Sequence, residues 1–311
     1  MTTAVVFAYH NVGVQCLSVL LAHKIDVALV VTHLDNPAEK IWFESVAKLA
    51  DAHGVPAITP DDPNQPETIE RIRSLKPDFL FSFYYRHMLA PALLTIPKRG
   101  ALNMHGSLLP KYRGRVPVNW AVINGERETG ATLHYMLEKP DAGDIVAQQA
   151  VPILPNETAA DVFMKVTGAA AGVLDKAMPA LVAGTAPRIA QDLRSGSYFG
   201  GRKPADGRID WRLPALSVHN LVRGVAPPYP GAFTAINGAT LRILRTRLAG
   251  TGSSPSRQPQ LYVKGAACYA TCGDGKTVEI IEMDLDGKPI TAAELTARFG
   301  SDPINLETAP Q

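Results

Sequence analysis

Cysteine is scarce in this chain: Cys16, Cys268 and Cys272 are the only three in 311 residues. So small and odd a number argues against a disulfide scaffold and for a reducing compartment, so a cytoplasmic protein is expected. Long apolar runs are missing too, since the densest, Ile25 to Val31, is interrupted by Asp26 and far shorter than the roughly 18–20 residues needed to cross a bilayer. The amino end carries no basic stretch ahead of an apolar one, so no secretory leader is expected. Charge of either sign is not in excess: 18 basic and 19 acidic residues precede position 200, with 13 and 10 after it. A protein that wraps nucleic acid or coats an anionic membrane would carry a large basic surplus, and neither part is a polycation.

Several motifs are absent as well. No G-x-G-x-x-G follows the first apolar strand, so a dinucleotide held in the usual way, NAD included, is not expected. The histidines at 10, 23, 33, 53, 87, 105, 134 and 219 never fall within four positions of one another, which leaves no H-x-x-x-H metal signature and no metal expectation. Ser107 lacks a nucleophile elbow and there is no P-loop, which removes serine hydrolases and P-loop enzymes. Cys268 and Cys272 stand alone in a strand-like segment and read as buried hydrophobes.

What is present is the composition of a globular enzyme, 46% apolar and 19% charged, on a length that suggests about two domains. Short β-branched runs at Ala4 to Ala8, Val27 to Thr32, Val55 to Ile58 and Phe79 to Phe83 alternate with helical patterns. The helices are expected around Gln15 to Ala22, from about Ala38 to Ala52, and at Pro66 to Leu75. The pattern implies a Rossmann-like α/β fold with an open, mostly parallel sheet. Glu128 to Tyr135 and Asp144 to Val151 read as an antiparallel pair. A long helix follows from Thr158 to about Val182, capped by Thr158 and Asp161, with Pro179 expected to kink or shorten its last turn. Beyond the run from Ser195 to Trp211, short strands separated by Gly and Pro imply a small barrel-like (OB-like) domain. The expected division is a catalytic domain over 1–202 and a β-rich domain over 203–311. The stretch from Ala249 to Gln260 reads as a surface loop and the last dozen residues as a disordered end.

In open α/β sheets ligands bind at the carboxyl ends of the strands, which here carry Tyr9-His10-Asn11, His33-Leu34-Asp35-Asn36, Tyr84-Tyr85-Arg86-His87 and Asn103-Met104-His105. Asn103 and His105 stand two apart on a strand, so both project from one face, an amide donor beside an acid/base group. Such a pair can stabilise an oxyanion while a proton moves; it is also explained as a polar strand end beside a turn. A carboxylate partner for His105 is available in Asp141 or Asp144, between which spacing does not choose. Lys111, Arg113 and Arg115 lie on a proline-bracketed loop that either meets an anion or is simply solvated.

The runs LNMHGSLLPKYRGRVPVNW and KPDAGDIVAQ resemble the signature of the 10-formyltetrahydrofolate-dependent formyltransferases. VVFAYHNVG, THLDNPAEK, FSFYYRHML and VRGVAPPYPGAF are most similar to its UDP-4-amino-4-deoxy-L-arabinose formyltransferases. The similarity covers about residues 3–245. It implies that His105 moves the proton, that Asn103 stabilises the transition state, and that Asp141, not Asp144, favours the protonated His105. It further implies 10-formyltetrahydrofolate as co-substrate, held by His87, Met88, Leu89, Arg115 and the loop Leu137, Glu138, Lys139, Pro140 and Asp141, with no metal and no NAD. The implied acceptor is the UDP-aminosugar, serving lipid A modification and resistance to cationic antimicrobial peptides such as polymyxin.

Asn11 and Tyr229 depart from the Asp and Trp of the nearest relatives, which touches the sugar site rather than the transfer. Arg202, Asp206 and Trp211 are candidates for shaping that site or for a hinge. A UDP-glucuronate decarboxylase domain, fused in some relatives, is expected on a separate polypeptide. Methionyl-tRNA formyltransferase is the rival reading, disfavoured by the balanced charge; another sugar-nucleotide N-formyltransferase or a non-catalytic folate- or nucleotide-binding module are the further alternatives.

Overall fold

Phe79–Phe83 is apolar at four of five positions and buried at all five, as a strand covered on both faces must be. It occupies the middle of a seven-stranded sheet in a computed structural model that describes residues 1–37, 39, 41–249 and 258–306. In chain order the elements are β1 (Thr3–Ala8), α1 (His10–Ala22), β2 (Asp26–Val31), α2 (Val46–Ala52), β3 (Ala57–Ile58), α3 (Pro66–Ser74) and β4 (Phe79–Phe83). Then come α4 (Pro91–Leu94), β5 (Ala101–His105), β6 (Arg113–Gly114), α5 (Pro117–Ile123), β7 (Glu128–Tyr135), β8 (Ile145–Pro152), α6 (Ala159–Ala183) and β9 (Tyr198–Phe199). The sheet order is β3-β2-β1-β4-β5-β7-β8, parallel except for the β5–β7 and β7–β8 pairs. This is the open, mostly parallel sheet that the alternating pattern implies. Order reverses at β1, whose neighbours are β2 and β4, so the carboxyl ends of β1 and β4 flank the switch point.

The chain divides into two compact units. The first comprises residues 1–117, 128–152 and 163–200; the second takes 201–311 together with 118–127 and 153–162. In the second, α7 (Ala215–Val225) precedes β10 (Ala232–Ile236), β11 (Ala239–Leu248), β12 (Gln260–Lys264), β13 (Ala267–Thr271), β14 (Thr277–Leu285), β15 (Lys288–Pro289), α8 (Ala292–Phe299) and β16 (Ile304–Asn305). Its strands run antiparallel in the order β10-β11-β14-β13-β12-β16, a nearly closed, barrel-like sheet as expected. Trp211, Val218, Val222, Leu241, Ile243, Val278 and Ile280 belong to its core.

Some local expectations are corrected. The helix expected from Ala38 begins only at Val46, where the Ser45 hydroxyl accepts from Lys48 N–H at 3.3 Å; a capping serine marks a helix start more sharply than apolar spacing does. Thr158 and Asp161 do form the expected cap, Thr158 N–H donating to the Asp161 carboxylate at 2.8 Å. That helix runs to Ala183 and stops at Gly184 with φ +75°, as expected, so Pro179 does not shorten it. One lost main-chain bond is outweighed by burial of Ala177, Met178 and Leu181 on either side of it. By length and composition α6 also reaches what a bilayer-spanning helix needs, which the apolar-run criterion did not register; half of that window is buried inside the protein. Helices α7 and α8 went unread, hidden in a region dominated by β signals. Residues 250–257 and 307–311, in the expected loop and tail, lie outside the described residues. All three cysteines are buried and free.

Phe81, with no exposed surface at the centre of β4, sets a direct test of this core. Phe81→Ala is expected to lower stability by about 3–5 kcal/mol, read as a drop in the urea midpoint followed by fluorescence.

Candidate active site

Strand β5 carries the proposed pair. Its neighbour β7 runs antiparallel with Asn103 opposite His134 and His105 opposite Thr132, and directly opposed side chains share a face of the sheet. Asn103, His105, Thr132 and His134 therefore rise from one surface. His134 is buried; its Nδ1 donates to the Tyr135 carbonyl at 2.8 Å, and its Nε2 lies 3.1 Å from Asn103 Nδ2.

His105 is buried, with Nε2 donating to the Tyr112 carbonyl at 2.8 Å and Nδ1 3.5 Å from Asp141 Oδ1. The same oxygen lies 3.6 Å from His134 Nε2, while Asp141 Oδ2 accepts from Gly114 N–H at 2.8 Å. Spacing left Asp141 and Asp144 equal; the ion pair to His105 is made by Asp141, and Asp144 gives its main-chain carbonyl to Tyr135 N–H at 2.8 Å. The Asp141 backbone is held at φ +52°, a conformation that needs external support in a non-glycine residue. Gln191 supplies it, donating through Nε2 to the carbonyls of Asp141 at 3.1 Å and Gly143 at 2.6 Å. Any Cβ at Gly143 would overlap the Tyr135 carbonyl, so the turn closes only around glycine.

The loop after His105 is anchored as firmly. Thr132 Oγ1 donates to the Ser107 carbonyl and accepts from Leu109 N–H and Gln148 Nε2, and Ser107 Oγ donates to the Lys111 carbonyl at 2.7 Å. The three-cation reading of this loop is corrected: Lys111 and Arg115 are exposed, but Arg113 is buried, turned inward by the strand pairing of β6.

The positions expected to hold folate are scattered in exposure. His87 and Met88 are exposed, and the Met88 carbonyl and Ala90 N–H are both held by the Asn64 amide at 3.0 and 2.7 Å. Leu89 packs into the core with Val5, Phe7 and Leu93, leaving only its main chain for a ligand. Arg115 reaches the Arg86 carbonyl at 3.4 Å; Leu137, Glu138 and Lys139 are exposed, and Pro140 is half-buried. Around the β1 exit, Tyr9 donates to Asp35 at 2.8 Å and Arg86 pairs with Glu39 through two 2.8 Å bonds. His10 lies among Trp42, Phe43 and Phe163, where burial pushes it down to about 3 and Arg86 adds to the effect. Asn11 Oδ1 accepts from Glu44 N–H at 2.9 Å, a role the Asp of the relatives would also fill.

In the second unit, Trp211 is fully buried and donates to Thr234 at 3.1 Å, so it is a core residue rather than a ligand contact. Arg202 stacks over Trp120 at 4.6 Å and donates to the Asp206 carbonyl at 2.7 Å. Sequence reasoning missed His134, Gln191 and the Tyr112 carbonyl. The polar alternation of Thr132 and His134 along β7 was the one available signal. Among the described residues, no group of three or more His, Cys, Asp or Glu side chains is placed to hold a metal ion.

Burial alone would raise the Asp141 carboxyl, but the adjacent His105 and His134 rings and the Gly114 N–H outweigh it and hold the group well below the usual carboxylate range. A group depressed on folding stabilises above its unfolded pKa, roughly 3.9 for Asp, and loses that contribution as pH falls through the folded value. Asp141→Asn is expected to lower stability at neutral pH and to flatten its acid dependence below about pH 5, measured by urea unfolding at a series of pH values.

The formyl transferase model matches residues 9–178, and the formyl transferase C-terminal domain model matches residues 202–300. Among solved structures, an N-formyltransferase from Helicobacter canadensis in complex with folinic acid and dTDP-3-aminofucose is similar at 21% identity and TM-score 0.70, over 90% of this chain and 99% of that one. WlaRD, a sugar 3N-formyl transferase with dTDP and 5-N-formyl-THF, is similar at 19% and 0.71, over 90% and 97%. A 4-N formyltransferase from Francisella tularensis is similar at 22% and 0.60, over 75% and 91%. With the first of these models spanning more than half its length and the second most of the remainder, the chain belongs to the formyl transferase family and is a formyl transfer enzyme.

Proposed function

We propose that this enzyme moves the formyl group of 10-formyltetrahydrofolate to the amine of a nucleotide-linked aminosugar, and specifically to the 4-amine of UDP-4-amino-4-deoxy-L-arabinose. The observation that carries the reading is His105 held between Asp141 and the Tyr112 carbonyl beside Asn103, on one face of β5. One similar structure was solved with folinic acid and dTDP-3-aminofucose and another with 5-N-formyl-THF and dTDP, which supports a folate donor and a nucleotide-sugar acceptor. The finer choice of arabinose rests on the motif resemblance, and with it a place in lipid A modification and polymyxin resistance, with a separate decarboxylase polypeptide acting in the same pathway.

In this scheme the neutral amine attacks the formyl carbon and the carbonyl oxygen gains negative charge. The Asn103 amide and the His105 ring offset that charge. The ring nitrogens of His105 lie against the Tyr112 carbonyl and the Asp141 carboxylate. As the carbon–N10 bond breaks, a proton reaches N10 through His105 and the new amide nitrogen gives up its own, so tetrahydrofolate leaves as a neutral amine. Asp141 holds the ring and balances its charge. The exposed His87 and Met88, the Leu89 main chain, Arg115 and the Leu137–Asp141 loop would grip the folate.

His105→Ala is expected to cut kcat by about 10²–10⁴ while leaving folate binding within a few-fold, as read by tetrahydrofolate release and by calorimetric titration with folinic acid. Normal turnover in that variant removes His105 from the chemistry. For the acceptor, purified enzyme with 10-formyltetrahydrofolate is offered the UDP-aminosugar, a dTDP-aminosugar and charged initiator tRNA. The reading expects product with the first, and formylation of the tRNA alone overturns it.

A further inference from the structure

The last segment of the first unit lies across the loop that follows His105. β9 pairs in parallel with β6, Arg113 opposite Tyr198 and Gly114 opposite Phe199. Ser197 N–H donates to the Pro110 carbonyl at 3.3 Å, Arg113 N–H to the Ser197 carbonyl at 3.0 Å, and Arg115 N–H to the Phe199 carbonyl at 2.9 Å. Ser197 Oγ accepts from Tyr112 N–H at 2.8 Å, and the Tyr112 and Phe199 rings stack with centroids 5.1 Å apart. The approach is close enough that a Cβ at Gly196 would overlap the Pro110 carbonyl and one at Gly114 the Phe199 carbonyl.

The geometry has a direct consequence at the reacting centre. Arg113 N–H and Tyr112 C=O belong to one planar peptide unit and point in opposite directions. When the Ser197 carbonyl takes the N–H, the Tyr112 carbonyl is aimed the other way, where it receives His105 Nε2–H at 2.8 Å. The preceding peptide unit is held by Ser197 Oγ, so both units flanking Tyr112 are bonded to the same residue. Tyr112 itself is at φ +57°, a left-handed conformation that is unfavourable for a tyrosine and so needs such support. The same loop delivers Gly114 N–H to Asp141.

We propose that the strap Gly196–Phe199 is a positioning device for formyl transfer, with Ser197 as the positioning residue that sets the His105 ring through the Tyr112 peptide. The proposal rests on the formyl-transfer role of His105 given above. Ser197 touches neither reacting group, so its effect should appear in kcat rather than in substrate affinity.

The test uses the full chain with Ser197→Ala, Ser197→Thr, Gly196→Ala and, as a control on the exposed turn before the strap, Arg194→Ala. Ser197→Ala is expected to lower kcat about five-fold and Gly196→Ala at least about ten-fold, with KM for both substrates within about two-fold of wild type. Ser197→Thr should restore most of the loss and Arg194→Ala should change nothing. In parallel, the His105 ring nitrogens are followed by ¹⁵N NMR in the unliganded protein, where Ser197→Ala and Gly196→Ala should shift Nε2 and the other two should not. Wild-type kcat with unmoved His105 signals in both Ala variants overturns the proposal, as does a lowered melting temperature with kcat that the Thr variant fails to recover. Should the wild-type protein formylate no acceptor, the functional reading falls, and the NMR arm still decides whether the strap sets the ring.

Discussion

A carboxylate removed from water must be met by charge or by hydrogen-bond donors, or it will take up a proton instead. Asp141 is met by three groups from three places in the chain: His105 from β5, His134 from β7 and the Gly114 N–H from the loop after β5. Each of these has its own requirement. His105 is oriented by the Tyr112 carbonyl, His134 by the Tyr135 carbonyl and by Asn103, and Gly114 by its pairing with Phe199. The left-handed Asp141 backbone is in turn tied down by Gln191. The site is therefore a closed set of mutual dependencies around one buried charge, which is how a reactive geometry is held without mobile parts.

The second unit is organised by a buried cation in a comparable way. Arg223 on α7 is buried, and its guanidinium donates to Asn220 Oδ1 at 2.9 Å and to the carbonyls of Glu157 at 3.2 Å and Val122 at 3.5 Å. His219, one turn earlier, spans Thr246 and the Pro155 carbonyl at 2.9 Å each, and Asn119 donates to the Gly224 carbonyl at 2.9 Å. These contacts gather 118–127 and 153–162 onto α7, which explains why the unit draws on three stretches of chain rather than one. Carbonyl oxygens meet this guanidinium and the Glu157 carboxylate adds a favourable charge, beside an apolar core built on Trp211 and the strands of the barrel-like sheet.

Much of the site's position was legible from local pattern. The run Phe79–Phe83 was recognisable as a buried strand because every residue in it is compatible with burial. Asn103 and His105 could be placed on one face because strand period is a covalent property of the backbone. The capping pair Thr158 and Asp161 was equally local. What failed had non-local causes. Apolar spacing from Ala38 onward suggested a longer helix, but Trp42 and Phe43 surround His10 instead and Ser45 starts the helix late. Arg113 looked like a surface cation until β6 paired with β9.

The amino-acid sequence by itself determined which residues can form strands and helices, that the charge is balanced, and that one strand ends in an amide and an imidazole two residues apart. Those follow from side-chain chemistry and from the period of the backbone, both properties of neighbouring residues. The choice of Asp141 over Asp144, open to spacing, was implied by the motif resemblance and is made in the ion pair to His105; only the tertiary structure decided that His134 completes the cluster from the adjacent strand and that Ser197 holds the Tyr112 peptide. The physical reason is the same in each case: hydrogen bonds and ion pairs act over about 3–4 Å, and strand register and loop closure bring residues as much as 85 positions apart within that range.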